Sequence, residues 1–246
     1  MTTVCMTVDV EDFYDGMAEL GEVVERPVAA RSGLSGLASL LVTSGRSAVT
    51  LFVVGNYADR VHPDLAGLIA DGHEVGCHGP DHGRLPEDPK DLLEWLRKGR
   101  EMVEDLFQTQ VVGFRSPRFD VPVTVGLDRY RHLLAEAGYG YVSDRSVLGD
   151  RSPVRELPVL TRYRYPVGGG SYQRMLPAAA VNAAVGTSLE PVVLYYHSYD
   201  FGATLPGLSS MRSMAMAKQL VGRQRVAGLF SMLLDRYGSE TCSHVA

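Results

Sequence analysis

The stretch Thr7-Val8-Asp9-Val10-Glu11-Asp12-Phe13 places three carboxylates directly after an apolar, β-prone run. Thr2 to Val10 alternates well enough to read as a first strand, so these acids stand at its carboxyl end. If the strand stays extended, alternation puts Glu11 on the same face as Asp9; if the chain turns, Asp12 swings in instead. A helix N-cap or a strand-end turn would also use carboxylates here.

Outward from this stretch, strands and helices alternate. Leu34, Leu37, Leu40 and Leu41 repeat at helical spacing, and Gly45 closes that helix. Ala48 to Val54 is a continuous β-branched run of the kind found in a strand buried on both faces. Leu65, Leu68 and Ile69 predict a short helix after His62-Pro63-Asp64, ended by Asp71-Gly72 before a strand from His73 to Cys77. Leu92 to Leu106 reads as a long amphipathic helix, Val111 to Phe114 as a fourth strand, Leu127 to Ala137 as a helix and Tyr139 to Val142 as a fifth strand. From Asp150 to Ala180 the periodicity fades into short strands and loops. The run Gly168-Gly169-Gly170 lacks the Gly-Lys-Ser/Thr ending of a phosphate loop and reads as tight backbone packing. Pro191 to Tyr196 is a final buried strand, and Met214 to Tyr237 is helical. With no linker in this series, residues 1–246 are expected to form one α/β domain with a parallel sheet, as an open doubly wound sheet or a closed barrel.

Composition bounds the function. A chain of 246 residues, 45% hydrophobic and 22% charged, can bury a substantial core and is not expected to be disordered. The formal charge of -5 gives no electrostatic reason to expect nucleic acid or an anionic membrane as partner. No stretch reaches the roughly 20 apolar residues of a membrane-spanning helix. The opening Met1-Thr2-Thr3-Val4 shows no basic segment leading into an apolar run, so a cytoplasmic location is expected. Cys5, Cys77 and Cys242 are too dispersed for a zinc knuckle or a disulfide framework. Cys77, beside His78, is read as a small buried residue rather than a nucleophile.

Functional side chains in a parallel α/β fold sit at the carboxyl ends of strands. Asp9 to Asp12, the pair His78 and His82, Arg115, Asp144 and His197 all follow strands in this way. Two imidazoles four residues apart project to one side if they share a helical turn. With one carboxylate from the first strand they would offer three ligands and leave a position for water, as a hydrolytic metal requires. Asp9 could then stand outside the metal shell as general base. Arg115 has the planar fork that fixes a carboxylate. His197 is either a core histidine or a general acid at the rim.

Taken in order, these residues resemble the five motifs of the NodB-homology polysaccharide deacetylases, carbohydrate esterase family 4. The motifs are Thr-Val-Asp-Val-Glu-Asp, His78 to His82, Arg115-Ser116-Pro117, Asp144 within Tyr141 to Ser146, and Tyr195-Tyr196-His197. The resemblance runs from Thr7 to about Gly238. It is closest to the branch whose first motif reads Asp-Val-Glu-Asp and which carries a Gly-Gly-Gly-aromatic-x-Arg-x-x-Pro segment, here Gly168 to Pro177, as in exopolysaccharide-associated deacetylases.

The resemblance implies a distorted (β/α)7 barrel and metal-dependent hydrolysis of the acetamide of an N-acetylated sugar or sugar-containing intermediate. It implies Asp9 as base, Arg115 as its tether, and Asp144 as the residue orienting the acid His197. The backbone N–H near Arg118 would hold an oxyanion, and Tyr195 and Tyr196 would wall the acetyl pocket. Glu11 or Asp12, with His78 and His82, would bind one divalent ion, Zn2+ first and Co2+, Ni2+ or Fe2+ as alternatives. The departures are a first motif without two adjacent aspartates and a fourth motif without the family's tryptophan. They keep open a hydrolase of a non-sugar amide or cyclic imide, or an inactive carbohydrate-binding domain.

Overall fold

Apolar runs pair side by side in a computed structural model that describes residues 2–19, 33–43, 45, 47–145, 152–162, 165–188, 191–202 and 220–246. The strands are β1 (Val4–Val10), β2 (Thr50–Val53), β3 (Glu74–Cys77), β4 (Gly113–Phe114), β5 (Tyr141–Val142), β6 (Arg155–Glu156) and β7 (Val192–His197). They form a sheet in the order β6-β5-β4-β3-β2-β1-β7, with every neighbouring pair parallel. The sheet curls until its edges meet. Beyond β6, Val159 N–H donates to the Asp144 carbonyl at 3.1 Å and Leu160 N–H to the Val193 carbonyl at 2.9 Å, while Tyr195 N–H donates to the Gly168 carbonyl at 2.8 Å. The fold is therefore the distorted (β/α)7 barrel expected from the motifs.

Period-two alternation divides the strands between two cores. On β1, Met6, Val8 and Val10 face the layer between sheet and helices. Cys5 faces the barrel interior, where it packs in one cluster with Phe52, Tyr141, Val159, Val193 and Tyr195. Thr7 and Asp9 follow Cys5 on that inner face, so the interior turns polar toward the carboxyl rim. The opposite end is closed by the last turn of chain: Cys242 N–H donates to Thr50 Oγ1 at 2.9 Å and Ser243 N–H to Glu74 Oε2 at 3.1 Å.

The covering helices include α1 (Phe13–Glu19), α2 (Leu34–Thr43), α3 (Gly55–Ala70), α4 (Pro89–Phe107) and α5 (Leu127–Glu136). α4 shows local and tertiary signals in agreement. Asp88 caps it by accepting from Lys90 N–H at 2.8 Å and Asp91 N–H at 3.1 Å, and Pro89 stands at the first turn, where its missing N–H costs nothing. Leu92, Leu96, Gly99 and Val103 then form its buried stripe.

Three sequence expectations need revision. α3 begins at Gly55 and carries Pro63 inside it, although a start after Pro63 was predicted. Pro63 removes one backbone bond, and burial of Tyr57, Ala58, Val61, Leu65 and Leu68 along one face offsets that loss. The fading pattern after Asp150 hides two helices, α6 (Gly170–Gln173) and α7 (Ala178–Gly186). The helix expected from Met214 starts outside the described residues. Within them, Gly222 adopts φ 73°, a 3-10 turn spans Arg223–Arg225, and the regular helix is Val226–Tyr237. Among the described residues, no helix is long and apolar enough to cross a membrane.

Candidate active site and metal centre

Register brings the polar residues to one height. Asp9 pairs with His197 across β1 and β7, Val53 with Cys77, Cys77 with Phe114, and Phe114 with Val142. Glu11, His78, Arg115, Ser143 and Asp144 therefore emerge within two residues of strand ends around the same rim. Asp9, Glu11, His78, His82, Arg118 and His197 are among the residues that line a cavity of about 620 Å3 there.

At its floor, Glu11, His78 and His82 place one ligand atom each within 4.8 Å of one another. Glu11 Oε2 lies 2.6 Å from His82 Nε2 and 3.5 Å from His78 Nε2. The Nδ1 of His78 is 2.9 Å from the Arg115 carbonyl, which accepts from an N–H, so Nε2 is the ring nitrogen left to face the cluster. Burial alone would raise the Glu11 carboxyl, but His82, His78 and His197 outweigh it and hold the group well below its ordinary 4.5. Two imidazole nitrogens and an ionised carboxylate suit a divalent ion of the zinc type and leave coordination positions for other ligands. This cluster can hold such an ion.

Between Glu11 and Asp12, it is Glu11 that the structure groups with the two histidines, and alternation is the reason. Glu11 continues the inward phase of Thr7 and Asp9. Asp12 instead caps α1, its Oδ1 accepting from Tyr14 N–H at 2.8 Å, and its Oδ2 lies 3.3 Å from Arg60 Nη1. Of the two alternatives, Asp12 thus lies outside the candidate metal cluster. His78 and His82 are joined by a turn rather than a helical one, with Gly79 at φ 87° and the rings 5.4 Å apart.

Arg115 is buried completely and spans the barrel interior. Its Nη1 donates to Asp9 Oδ1 and to Thr7 Oγ1, each at 2.7 Å; Nε reaches the Ser143 carbonyl at 2.9 Å and Nη2 the Ser143 hydroxyl at 2.8 Å. The guanidinium carbon also lies 4.3 Å from the centroid of Phe52. Asp9 is fixed from one side and opens to the cavity on the other. Beside it, Pro117–Phe119 forms a tight turn in which Arg118 and Phe119 both take positive φ, 60° and 57°. Such a backbone is costly for non-glycine residues and concentrates at functional sites.

His197 ends β7 with its ring against Tyr199, the centroids 4.8 Å apart and the planes 5° from parallel. Its Nε2 is 3.9 Å from Glu11 Oε1, and its Nδ1 is 3.4 Å from Asp200 Oδ2. Asp200 Oδ2 also accepts from the His197 backbone N–H at 3.1 Å, and Oδ1 lies 3.3 Å from Arg174 Nη1. Burial would lower the imidazole, but Asp200, Glu11 and Asp9 together raise it above its ordinary 6.5.

Among the described residues no hydrogen bond or ion pair links Asp144 to His197. Its Oδ1 accepts from the Ser116 N–H at 2.9 Å and the Ser116 hydroxyl at 2.8 Å, and its Oδ2 from Tyr130 at 3.1 Å. These donors hold the carboxylate beneath the Arg115–Ser116 turn. Tyr196 is likewise removed from the acetyl-pocket wall. It points away from the cavity, donating to Gln173 Oε1 at 2.8 Å and packing on Phe230 with ring centroids 5.1 Å apart. Its neighbour Tyr195, one step out of phase, lines the cavity.

Asp200 and Arg174 received no role from the sequence. The available signal was a carboxylate three residues after a strand-end histidine, close enough to fold back on it. The glycine run supplies the rest. A Cβ on Gly169 would meet the Tyr195 ring at 2.5 Å, and one on Gly170 would stand 3.5 Å from Asp200 Oδ2, so these glycines let the segment carrying Arg174 press on β7. Cys77 is buried, and burial pushes its thiol up to about 11, which suits packing and not nucleophilic attack.

Residues 41–142 match the family described as Polysaccharide deacetylase, and residues 138–246 match a domain of unknown function, DUF3473. No protein of curated function matches the chain. Among solved structures, one from Mycobacterium smegmatis assigned as a polysaccharide deacetylase has 21% identity and a TM-score of 0.66, covering 99% of this chain and 88% of that one. A CE4 family pseudoenzyme from Bacillus anthracis has 10% identity and a TM-score of 0.57, with 99% and 64% covered. A peptidoglycan deacetylase from Bacillus subtilis has 12% identity and a TM-score of 0.56, with 99% and 89% covered.

Proposed function

We propose, from the premise that this chain carries a polysaccharide deacetylase domain, that it is a metal-dependent N-deacetylase of an N-acetylated sugar or sugar-containing intermediate. The observation that carries this reading is the convergence of Glu11, His78 and His82 on one point of a cavity that also exposes Asp9 and His197. Membership of the Asp-Val-Glu-Asp branch is part of the proposal, supported by the match over the segment that contains Gly168 to Pro177.

In this reading Glu11, His78 and His82 hold the cation, with Zn2+ first among candidates. Such an ion, when bound, polarises a carbonyl and lowers the pKa of water to about 7. The remaining work falls to side chains. Asp9, pinned by Arg115, takes the proton of the attacking water. His197 gives its Nε2 proton to the departing nitrogen as the C–N bond breaks, yielding acetate and a free amine. The backbone N–H near Arg118 would face the carbonyl oxygen as it gains charge. Tyr195 walls the acetyl group.

The test is acetate release from N-acetylhexosamines, their oligomers and sugar-linked intermediates, before and after chelation. Activity abolished by a chelator and restored by Zn2+ or Co2+ is expected, whereas equal turnover in metal-free protein refutes the reading. Sugar binding without acetate release under all these conditions would place the chain with the CE4 pseudoenzymes.

A further inference from the structure

We infer that Asp200, itself held by Arg174, is the residue that positions His197 as proton donor. The inference rests on the deacetylase reading above and deepens it at the leaving-group side. His197 needs its Nδ1 occupied by an acceptor if Nε2 is to face the cavity with a proton. Asp200 Oδ2 lies 3.4 Å from Nδ1 and accepts the backbone N–H of the same residue, so ring and main chain are fixed by one oxygen. The other oxygen pairs with Arg174, and both residues are at most 4% exposed. A buried carboxylate in this place demands a cationic partner, which Arg174 supplies. Tyr199 stacks on the imidazole and limits its rotation. Asp144, by contrast, is bonded to Ser116 and Tyr130, and among the described residues no hydrogen bond or ion pair links it to His197.

In the step concerned, water adds hydroxyl to the acetyl carbon, Asp9 takes the remaining water proton, the C–N bond breaks, and the nitrogen receives its proton from His197. A p-nitrophenyl ester needs no such gift, because p-nitrophenolate leaves as the anion. Asp200→Asn in the Zn2+-loaded protein is therefore expected to lower kcat on an N-acetyl amide roughly 100-fold or more, within the range of general acid catalysis. On p-nitrophenyl acetate the same variant should stay within about threefold of wild type, close to the residual effect of a distant charge change. Arg174→Lys should show the same selectivity with a smaller loss, and serves where the Asn variant does not fold. Asp144→Asn should lower thermal stability without distinguishing amide from ester. Equal losses on both substrates for the Asp200 and Arg174 variants, or no loss, overturn the inference, as does amide-selective loss in Asp144→Asn. In metal-free protein, 15N NMR at a pH where the ring is neutral should find the His197 proton on Nδ1 in wild type and redistributed in Asp200→Asn; an unchanged tautomer also counts against it. Failure of the parent reading is separate, since wild-type protein would then release no acetate from any amide.

Discussion

Arg115 shows at the residue scale how much one side chain can be asked to hold. It joins β1 through Asp9 and Thr7 to the strand end at Ser143, and it has no exposed surface. Arg115→Met would leave Asp9 buried without its cation, a loss of about 3–5 kcal/mol; urea unfolding measures it, and a change below 1 kcal/mol would contradict the network. Charge also sets the pH response of the metal-free protein. Glu11 has its pKa lowered from 4.5, so its contribution is present above 4.5 and is lost as pH falls through the depressed value. His197 has its pKa raised from 6.5, so its contribution is complete below 6.5 and is lost as pH rises through the elevated value. Unfolding free energy from these groups should peak between 4.5 and 6.5, and Glu11→Gln should flatten the acid side in a pH series of urea melts. Sequence showed which residues carry charge at the rim, because strand ends were visible. It did not show that Asp144 turns to Ser116, since the partner of a buried carboxylate depends on side chains brought together by the closed sheet.

Elements decide whether the ligands meet. The turn after β3 brings His82 back over His78 through Gly79, whose φ of 87° is poor for any residue with a Cβ. That Cβ would also come within 2.4 Å of Trp95. Gly79→Ala is expected to cost about 2–4 kcal/mol from backbone strain and overpacking together, and to weaken Zn2+ binding measured by calorimetry more than mutation of an exposed residue on α4 such as Lys98. The four-residue histidine spacing was legible, and so was the turn signal of Gly79 and Pro80, which the chain follows in place of a helical turn. Apolar runs as long as β1, β2 and β7 were readable. The short strands β4 and β5 were read too, each within a longer run, whereas β6 and the segment bridging Val159 to Val193 were not placed individually, since two paired residues leave no period to detect.

The whole molecule gains stability from anything that binds its folded form. With Glu11, His78 and His82 drawn from two separate strand ends, Zn2+ at about 100 times its Kd should stabilise the fold by about 2.7 kcal/mol. Scanning calorimetry should show a raised Tm for wild type and little change for Glu11→Gln; no shift in wild type would remove the metal centre from the proposal. Strand order adds a temporal consequence. β1, which precedes the other six strands of the sheet, lies between β2 and β7, and its β7 edge pairs residues 4–9 with residues 192–197. During synthesis that edge stays bare until residues 192–197 have emerged, and such distant pairing slows folding. Glu11, His78 and His82 can come together on the nascent chain well before His197 exists. On the proposed reading, the metal-binding half of the site is thus available early and the proton donor follows with the strand that seals the barrel, so a ribosome-bound intermediate should be able to capture metal while remaining unable to turn over.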